Sequence, residues 1–78
     1  PHTQIKYDLA SDAMVHISIY DIMGRKVRDL ISSHQNAGYW SIEWDATNQM
    51  GESVSAGMYI YVIEAGSFKA NKKMILLK

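Results

Sequence analysis

The most chemically varied loop of the chain carries Asp45, Asn48 and Glu52, whose side-chain oxygens are the ligands that hard cations prefer. An EF-hand calcium loop needs oxygen ligands at its first, third and fifth positions, glycine at the sixth and glutamate at the twelfth. Counted from Asp45, the sixth position is Met50 and the twelfth is Ala56, so the calcium pattern fails. We therefore expect Asp45 and Asn48 to hydrogen-bond to nearby backbone and shape a turn, and we predict no metal site.

Serine and histidine, the other residue types that support catalysis, are not arranged for it. Ser53 and Ser55 lie in GESVSAG, which is not the G-x-S-x-G nucleophile elbow, because position 53 is serine where the elbow has glycine. His2, His16 and His34 lie too far apart in sequence for a short metal-ligand spacing. The chain has no cysteine, so thiol catalysis and disulfides are excluded. We predict no catalytic residues, no cofactor and no enzymatic activity.

Length and composition indicate one small globular domain over residues 1–78. Hydrophobic residues make up 47% of the chain and charged residues 21%, a balance that argues against disorder. The formal net charge is zero, so nothing favours nucleic acid or an anionic membrane as a partner. No apolar run is long enough to cross a membrane, and we expect no direct membrane insertion. The chain opens directly into a strand-like run without a signal peptide, and we interpret it as a piece of a longer secreted precursor.

The elements that must position these residues are strands, because apolar residues recur at every second position. The runs with this pattern, or close to it, are 5–9, 15–19, 26–32, 40–44, 58–63 and 68–77. The run 58–63 is apolar on both faces, which predicts a central strand or one whose second face is covered by a neighbour. In 26–32 the alternation slips at Val27 and Leu30, as a β-bulge or a change of sheet would cause. Only 27–34 could instead form a short helix.

Turn residues separate the runs. Residues 21–25 fit a hairpin with a type I turn in which Gly24 takes the left-handed conformation. Further turns are predicted at 36–38 and 48–51, and residues 65–67 close a tight hairpin. Six or seven strands at spacings of about ten residues predict an all-β antiparallel sandwich.

Aromatic and basic residues are the remaining candidates for recognition. Most aromatic residues alternate in phase with isoleucine and valine, which favours the core, but Tyr20 and Tyr39 share a face with polar neighbours. Exposed tyrosines could form a binding platform. Four lysines gather near the end of the chain, at positions 69, 72, 73 and 78. Lysines on a terminal strand either discourage aggregation between sheet edges or present a cationic end to a receptor, and spacing alone leaves both readings open.

Several motifs together resemble one family. They run in order along the chain: I-x-Y-x-L at Ile5, Tyr7 and Leu9; Y-D-x-x-G-R-x-V at Tyr20, Asp21, Gly24, Arg25 and Val27; G-x-x-x-x-x-W-D at Gly38, Trp44 and Asp45; G-x-x-V-x-x-G-x-Y at Gly51, Val54, Gly57 and Tyr59; and K-K-x-x-x-x-K at Lys72, Lys73 and Lys78. The set resembles the C-terminal sorting domain of type IX secretion substrates, which is related to the immunoglobulin-like domain of flagellar hook-capping proteins. Two departures are Ala46, where the family often has glycine, and a lead into the first strand shortened to Thr3.

The resemblance implies an immunoglobulin-like antiparallel β-sandwich of six to seven strands with no catalytic role. It implies a sorting signal that directs cargo, attached at its N-terminal side, through the periplasm and across the outer membrane. An outer-membrane translocon would recognise the domain, a surface sorting peptidase would remove it in many substrates, and the cargo would be secreted or held at the cell surface. The residues implied in translocon recognition are Gly57, Tyr59, Gly66, Lys72, Lys73 and Lys78.

One alternative function stays open from the sequence. A passive immunoglobulin-like accessory module of an extracellular enzyme or surface protein would pack against a neighbour or bind carbohydrate or an assembly partner. That reading predicts a contiguous exposed patch that includes Tyr20 or Tyr39. A dimer formed by strand exchange is also open to a small sheet with a free edge.

Overall fold

The computed structural model describes residues 2–77, and six strands account for most of them. They are β1 (Thr3–Leu9), β2 (Ala13–Asp21), β3 (Lys26–Gln35), β4 (Gly38–Trp44), β5 (Gly57–Ala65) and β6 (Phe68–Leu76). All pairings are antiparallel, with β1 and β4 forming one sheet and β3-β2-β5-β6 the other in that order. This confirms the all-β, immunoglobulin-like sandwich. The segment 27–34 lies in β3 and forms no helix, and none of residues 2–77 forms a helix that could cross a membrane.

The core lies between the two sheets, where the period-two pattern places the apolar residues. Alternate residues of β2 and of β1 point inward, as the sequence pattern predicts. Trp44, from the end of β4, is the largest side chain that is fully buried. The full set of buried apolar residues is Ile5, Leu9, Val15, Ile17, Ile19, Trp44, Ala46, Tyr59, Ile63, Ala65 and Leu76. Since every strand except the edge strand β3 contributes to this set, the core depends on the pairing of all the other strands.

The slipped alternation in β3 arises from two β-bulges. Ile17 of β2 pairs with Ile31, but the next residue, Ser18, pairs with Asp29, so Leu30 is left without a partner. A second bulge follows where Ile19 pairs with Arg28 and Tyr20 with Lys26, so that Val27 is skipped. These are the two residues whose phase disagrees with the rest of the strand, so the bulge is the correct explanation and the strand does not change sheet.

The β2–β3 turn is organised by one carboxylate. Asp21 Oδ1 accepts hydrogen bonds from the backbone N–H groups of Met23 at 2.9 Å and Arg25 at 3.0 Å. The Arg25 guanidinium donates to Asp21 Oδ2 at 3.1 Å. Gly24 closes the turn at a φ of +83°, a left-handed conformation that residues with a Cβ atom adopt at a cost. The predicted type I hairpin is therefore confirmed, and Asp21 is its main stabilising residue.

Asp21, Asp29 and Asp45 make the stability of the fold dependent on pH in the acid range. Hydrogen bonds lower the pKa of each carboxyl group in the folded chain. The main donor to Asp21 is the Arg25 backbone N–H, and the main donor to Asp29 is the Lys26 side chain. The main donor to Asp45 is the Thr47 hydroxyl. A carboxyl group whose pKa is lower in the folded chain stabilises the fold above its unfolded pKa and loses that contribution on acidification. We therefore expect the urea midpoint to stay level from about pH 7 to 5 and to fall below about pH 4.

The matched variants for this prediction are Asp21→Asn and Asp8→Asn, which change the net charge equally. Asp8 is exposed in β1 and accepts no hydrogen bond from a side chain or from a turn among residues 2–77. We expect D21N to lower the midpoint at neutral pH and to reduce its fall in acid, because an amide accepts these bonds less strongly than a carboxylate. D8N should stay close to the wild-type midpoint at neutral pH. An unchanged acid profile in D21N would contradict the role given to the turn.

Ala46 shows why the related family often has glycine after its Trp-Asp pair. Its φ is +64°, and it is the one residue other than glycine with a positive φ among residues 2–77. The left-handed conformation costs an alanine roughly 1 kcal/mol. The Ala46 side chain is also buried, and burying one methyl group contributes about 0.8 kcal/mol. The two terms nearly cancel, so alanine is tolerated at a position whose backbone favours glycine.

Candidate functional site

The two edges of the four-stranded sheet differ in whether they are covered. The edge of β3 is covered at its bulged end by the loop that joins β4 to β5, residues 45–56. In this loop the Gln49 backbone N–H donates to the Val27 carbonyl at 3.0 Å, and Gln49 Oε1 accepts from the Asp29 N–H at 2.8 Å. These bonds occupy polar groups of the β3 edge at its bulged end, which protects that edge against pairing with another chain.

Arg28 ties this loop to β3. Its Nη1 donates to Asp45 Oδ1 at 3.3 Å and to the Thr47 hydroxyl, which in turn donates to Asp45 Oδ1 at 2.5 Å. Further along, Asn48 Oδ1 accepts from the N–H groups of Met50 and Glu52, both at 3.0 Å. The expectation that Asp45 and Asn48 shape a turn is confirmed, and their oxygens are engaged within the protein. No group of acidic and histidine side chains among residues 2–77 is arranged to hold a metal ion.

The opposite edge, along β6, is free. Within residues 2–77, β6 pairs with β5 alone, and no other backbone hydrogen bond reaches it. The loop between these strands is two residues long and closes on the pair Ala65 and Phe68, as predicted. In such a hairpin the closing pair is hydrogen-bonded, and the backbone groups then alternate in direction. Those that point to solvent therefore belong to the alternate residues 69, 71, 73 and 75.

The structure separates the two adjacent lysines of the predicted recognition set. Lys72 lies opposite Tyr61, on the same face of the sheet as the buried Tyr59 and Ile63, and so points toward the space between the sheets. Lys73 lies opposite Ile60 and points away from that space. Both side chains are exposed. A partner that contacts one face of β6 therefore meets only one of these lysines. Lys78, also in the predicted set, lies outside the described residues.

The other residues of that set have evident roles in the fold. Gly57 opens β5 at a φ of +143°, which a residue with a Cβ atom rarely adopts. Tyr59 is buried edge-on against Trp44, with ring centroids 5.2 Å apart, and its hydroxyl donates to the Ser55 carbonyl at 2.6 Å. Gly66 is the first residue of the β5–β6 turn. A partner cannot contact the Tyr59 ring directly in this conformation, so any effect of Tyr59 on recognition acts through the fold.

A groove that the sequence did not reveal lies between the free edges of β1 and β6. It has a volume of about 150 Å³. Its lining residues are Lys6, Tyr7, Asp8, Leu9, Tyr61, Ile63, Phe68, Ala70 and Lys72. Phe68 is 60% exposed at its rim, although the alternation favoured a core position for most aromatic residues. The groove could not be found from the sequence because no local pattern places β1 beside β6.

The tyrosines predicted to be exposed do not form one patch. Tyr39 is 93% exposed, on the outer face of the β1–β4 sheet. Tyr20 is half-buried on the outer face of the other sheet, beside Ile60 of β5. The two rings therefore lie on opposite sides of the sandwich, and a binding platform would contain only one of them. The histidines have local contacts: His16 Nδ1 lies 3.1 Å from the Ser32 hydroxyl, and His2 contacts the Glu43 carboxylate.

Comparisons with known proteins agree with this architecture. Residues 2–68 match the family model described as the FlgD Ig-like domain. The structure is similar to that of FlgD from P. aeruginosa, with a TM-score of 0.77 at 21% sequence identity over 97% of this chain and 61% of that one. It is also similar to dimeric latent PorU from Porphyromonas gingivalis, with a TM-score of 0.63 at 23% identity over 96% of this chain and 9% of that one.

These two likenesses show the fold, and the chain spans less than two thirds of the length of either protein. A comparison with curated proteins finds no match. The family model spans most of the residues and covers β1 to β5 together with the first residue of β6. The chain therefore belongs to the FlgD Ig-like domain family.

Proposed function

We propose that this domain is a non-catalytic sorting signal that directs an attached cargo protein across the outer membrane by type IX secretion. The observation that carries the proposal is the free edge of β6, which contrasts with the edge of β3 in the same sheet, where the 45–56 loop occupies backbone groups of Val27 and Asp29. The ordered motifs described above support it. In this proposal an outer-membrane translocon contacts β6, and a surface sorting peptidase acts on the exported protein. The cargo then reaches the medium or the cell surface from the periplasm.

The physical basis of the recognition is strand pairing assisted by charge. An edge strand offers unpaired N–H and C=O groups that a partner strand can satisfy. Lys72 and Lys73 place positive charge on both faces of that edge, which accelerates encounter with an acidic partner and disfavours a basic one. Neither lysine forms an ion pair within residues 2–77, so both are available to a partner.

The proposal is tested by fusing residues 1–78 to a reporter that is directed to the periplasm of a host with type IX secretion. We expect the fusion to reach the surface or the medium. Reversing both lysines, K72E with K73E, should lower export about tenfold, because attraction to the partner becomes repulsion. The matched control, K72R with K73R, keeps the charge and should be exported like the wild-type fusion. Retention of the wild-type fusion in the periplasm would refute the proposal.

A second candidate function is supported by the outer face of the four-stranded sheet. Met58 is 45% exposed there and lies opposite the exposed Ile75, with Ile60 and Val62 along the same strand. An apolar stripe of this kind suits packing against a neighbouring domain. As an accessory module, the domain would be exported independently of Lys72 and Lys73. Equal export of the K72E/K73E fusion and the wild-type fusion would therefore favour this second function.

A further inference from the structure

The groove between β1 and β6 has the form of a site for an added strand. Both strands that border it have one free edge, because within residues 2–77 β1 pairs with β4 alone and β6 with β5 alone. Its floor is apolar and includes Tyr61, Ile63 and Ala70 from the inner face of the four-stranded sheet. An extended segment laid along β6 would cover this floor with every second side chain.

The backbone of β6 is oriented to accept such a segment. The outward N–H and C=O groups of residues 69, 71, 73 and 75 form a row without partners in the described part of the chain. Pairing with this row would extend the sheet by one strand and leave the β5–β6 ladder unchanged. At the β3 edge the same addition would require Gln49 to be displaced first.

The charge at the groove selects the chemistry of the segment. Lys72 of β6 lines it from the inner face of the four-stranded sheet and forms no ion pair with any carboxylate of residues 2–77. Lys6 and Asp8 of β1 also border the groove, but they alternate with the inward-facing Tyr7 and Leu9 and point to the outer face of β1, so Lys72 is the charged side chain that faces the floor of the groove. In β6 Lys72 lies between two inward-facing apolar residues, Ala70 and Met74. The complementary pattern is a carboxylate opposite Lys72, with an apolar side chain two residues away on each side.

We propose that the groove between β1 and β6 binds an extended acidic segment of a partner protein as an added strand paired with β6, with its carboxylate opposite Lys72 and its apolar side chains opposite Ala70 and Met74. This inference rests on the proposed function in one respect: the partner protein that supplies the segment is then part of the export machinery. The binding itself is a property of the groove and is measurable without export.

The test uses residues 1–78 and synthetic peptides of nine residues, the length of β6. The peptides alternate valine and threonine and carry either glutamate or lysine at the central inward position. We expect the glutamate peptide to bind about tenfold more tightly than the lysine peptide, because the exchange replaces attraction by repulsion at Lys72. K72E should reverse that preference. K73E is the matched control, since it makes the same charge change on the opposite face of β6 and should preserve the preference.

A second pair of measurements tests strand pairing. Asn71→Pro removes an outward N–H while leaving the β5–β6 hydrogen bonds in place. It should weaken the binding of both peptides by about tenfold or more. Methylation of alternate backbone nitrogens of the glutamate peptide gives a test that leaves the domain unaltered. Methylation on the edge that pairs with β6 should abolish binding.

The outcomes separate the inference from the proposed function. Preference for glutamate, its reversal in K72E and its survival in K73E support the inference, whether or not the reporter fusion is exported. Equal binding of the two peptides overturns the inference, as does binding that stays unchanged when the edge that pairs with β6 is methylated. A stable dimer of the domain that buries β6 also overturns it, because a second copy would then occupy the edge. Retention of the wild-type fusion in the periplasm counts against the proposed function alone.

Discussion

Replacing Trp44 with alanine is expected to unfold most of the domain at room temperature. Trp44 is fully buried, its ring lies at 70° to that of Tyr59, and its indole N–H donates to the Thr47 carbonyl at 2.9 Å. A Trp→Ala change in a core costs about 3–5 kcal/mol. A domain of this size has a total stability of only a few kcal/mol. The loss therefore equals most of the free energy of unfolding, and it also removes a bond that holds the start of the 45–56 loop.

Urea unfolding followed by circular dichroism in the far ultraviolet measures this effect. Tyr39→Ala is the matched control, because it removes an aromatic ring that is 93% exposed and should change stability by less than about 0.5 kcal/mol. A W44A protein that keeps a cooperative transition within about 1 kcal/mol of the wild type would show that the core tolerates the cavity. The contact between Trp44 and Tyr59 would then not be central to the fold.

A chain that ends at Asn71 is expected not to fold. The truncation removes Leu76, which is buried, and Met74, which packs against the core beside Tyr59. Losing a buried leucine side chain alone costs about 2–5 kcal/mol. The truncation also leaves the first half of β5, from Gly57 to Tyr61, without its β6 partner, and so exposes a long apolar edge that favours aggregation.

Light scattering and circular dichroism of the purified chains test this prediction. The full-length K72A/K73A variant is the control, since it removes both charges and keeps the strand, and it should unfold close to the wild type. A cooperative transition in the truncated chain near the wild-type midpoint would contradict the expectation. The result also bears on export, because loss of export after this truncation would report unfolding as well as recognition. The point variants of Lys72 and Lys73 avoid that ambiguity.

The sequence was sufficient for the fold because each strand carries its own periodicity. The alternation in β1, β2 and β4 identified which residues face inward, and burial agrees with it at Ile5, Ile17 and Trp44. The irregular β3 was also informative, since the residues out of phase, Val27 and Leu30, are those left unpaired by the bulges. Turn residues worked for the same reason: the conformation at Gly24 and the carboxylate of Asp21 act within a few neighbouring residues.

The candidate site was only partly predictable. The lysines of β6 were identified, but the sequence treated Lys72 and Lys73 as one group, and the pleat of the strand places them on opposite faces. Gly57 and Tyr59 were included in the recognition set, although their conformation and burial tie them to the fold. The groove beside Lys72 was missed altogether, because it lies between two strands, β1 and β6, that are separated by more than half of the chain.

The amino-acid sequence by itself determined the strands, their inward faces, the turns and the position of the irregularity in β3, because these depend on interactions between residues that are near in the chain. The tertiary structure alone decided which sheet edge is covered and which is free, since that depends on where the 45–56 loop docks. It also decided that β1 and β6 border one groove, with Lys6 and Lys72 in its lining. Contacts between distant segments arise from packing of the two sheets, and no local pattern encodes them.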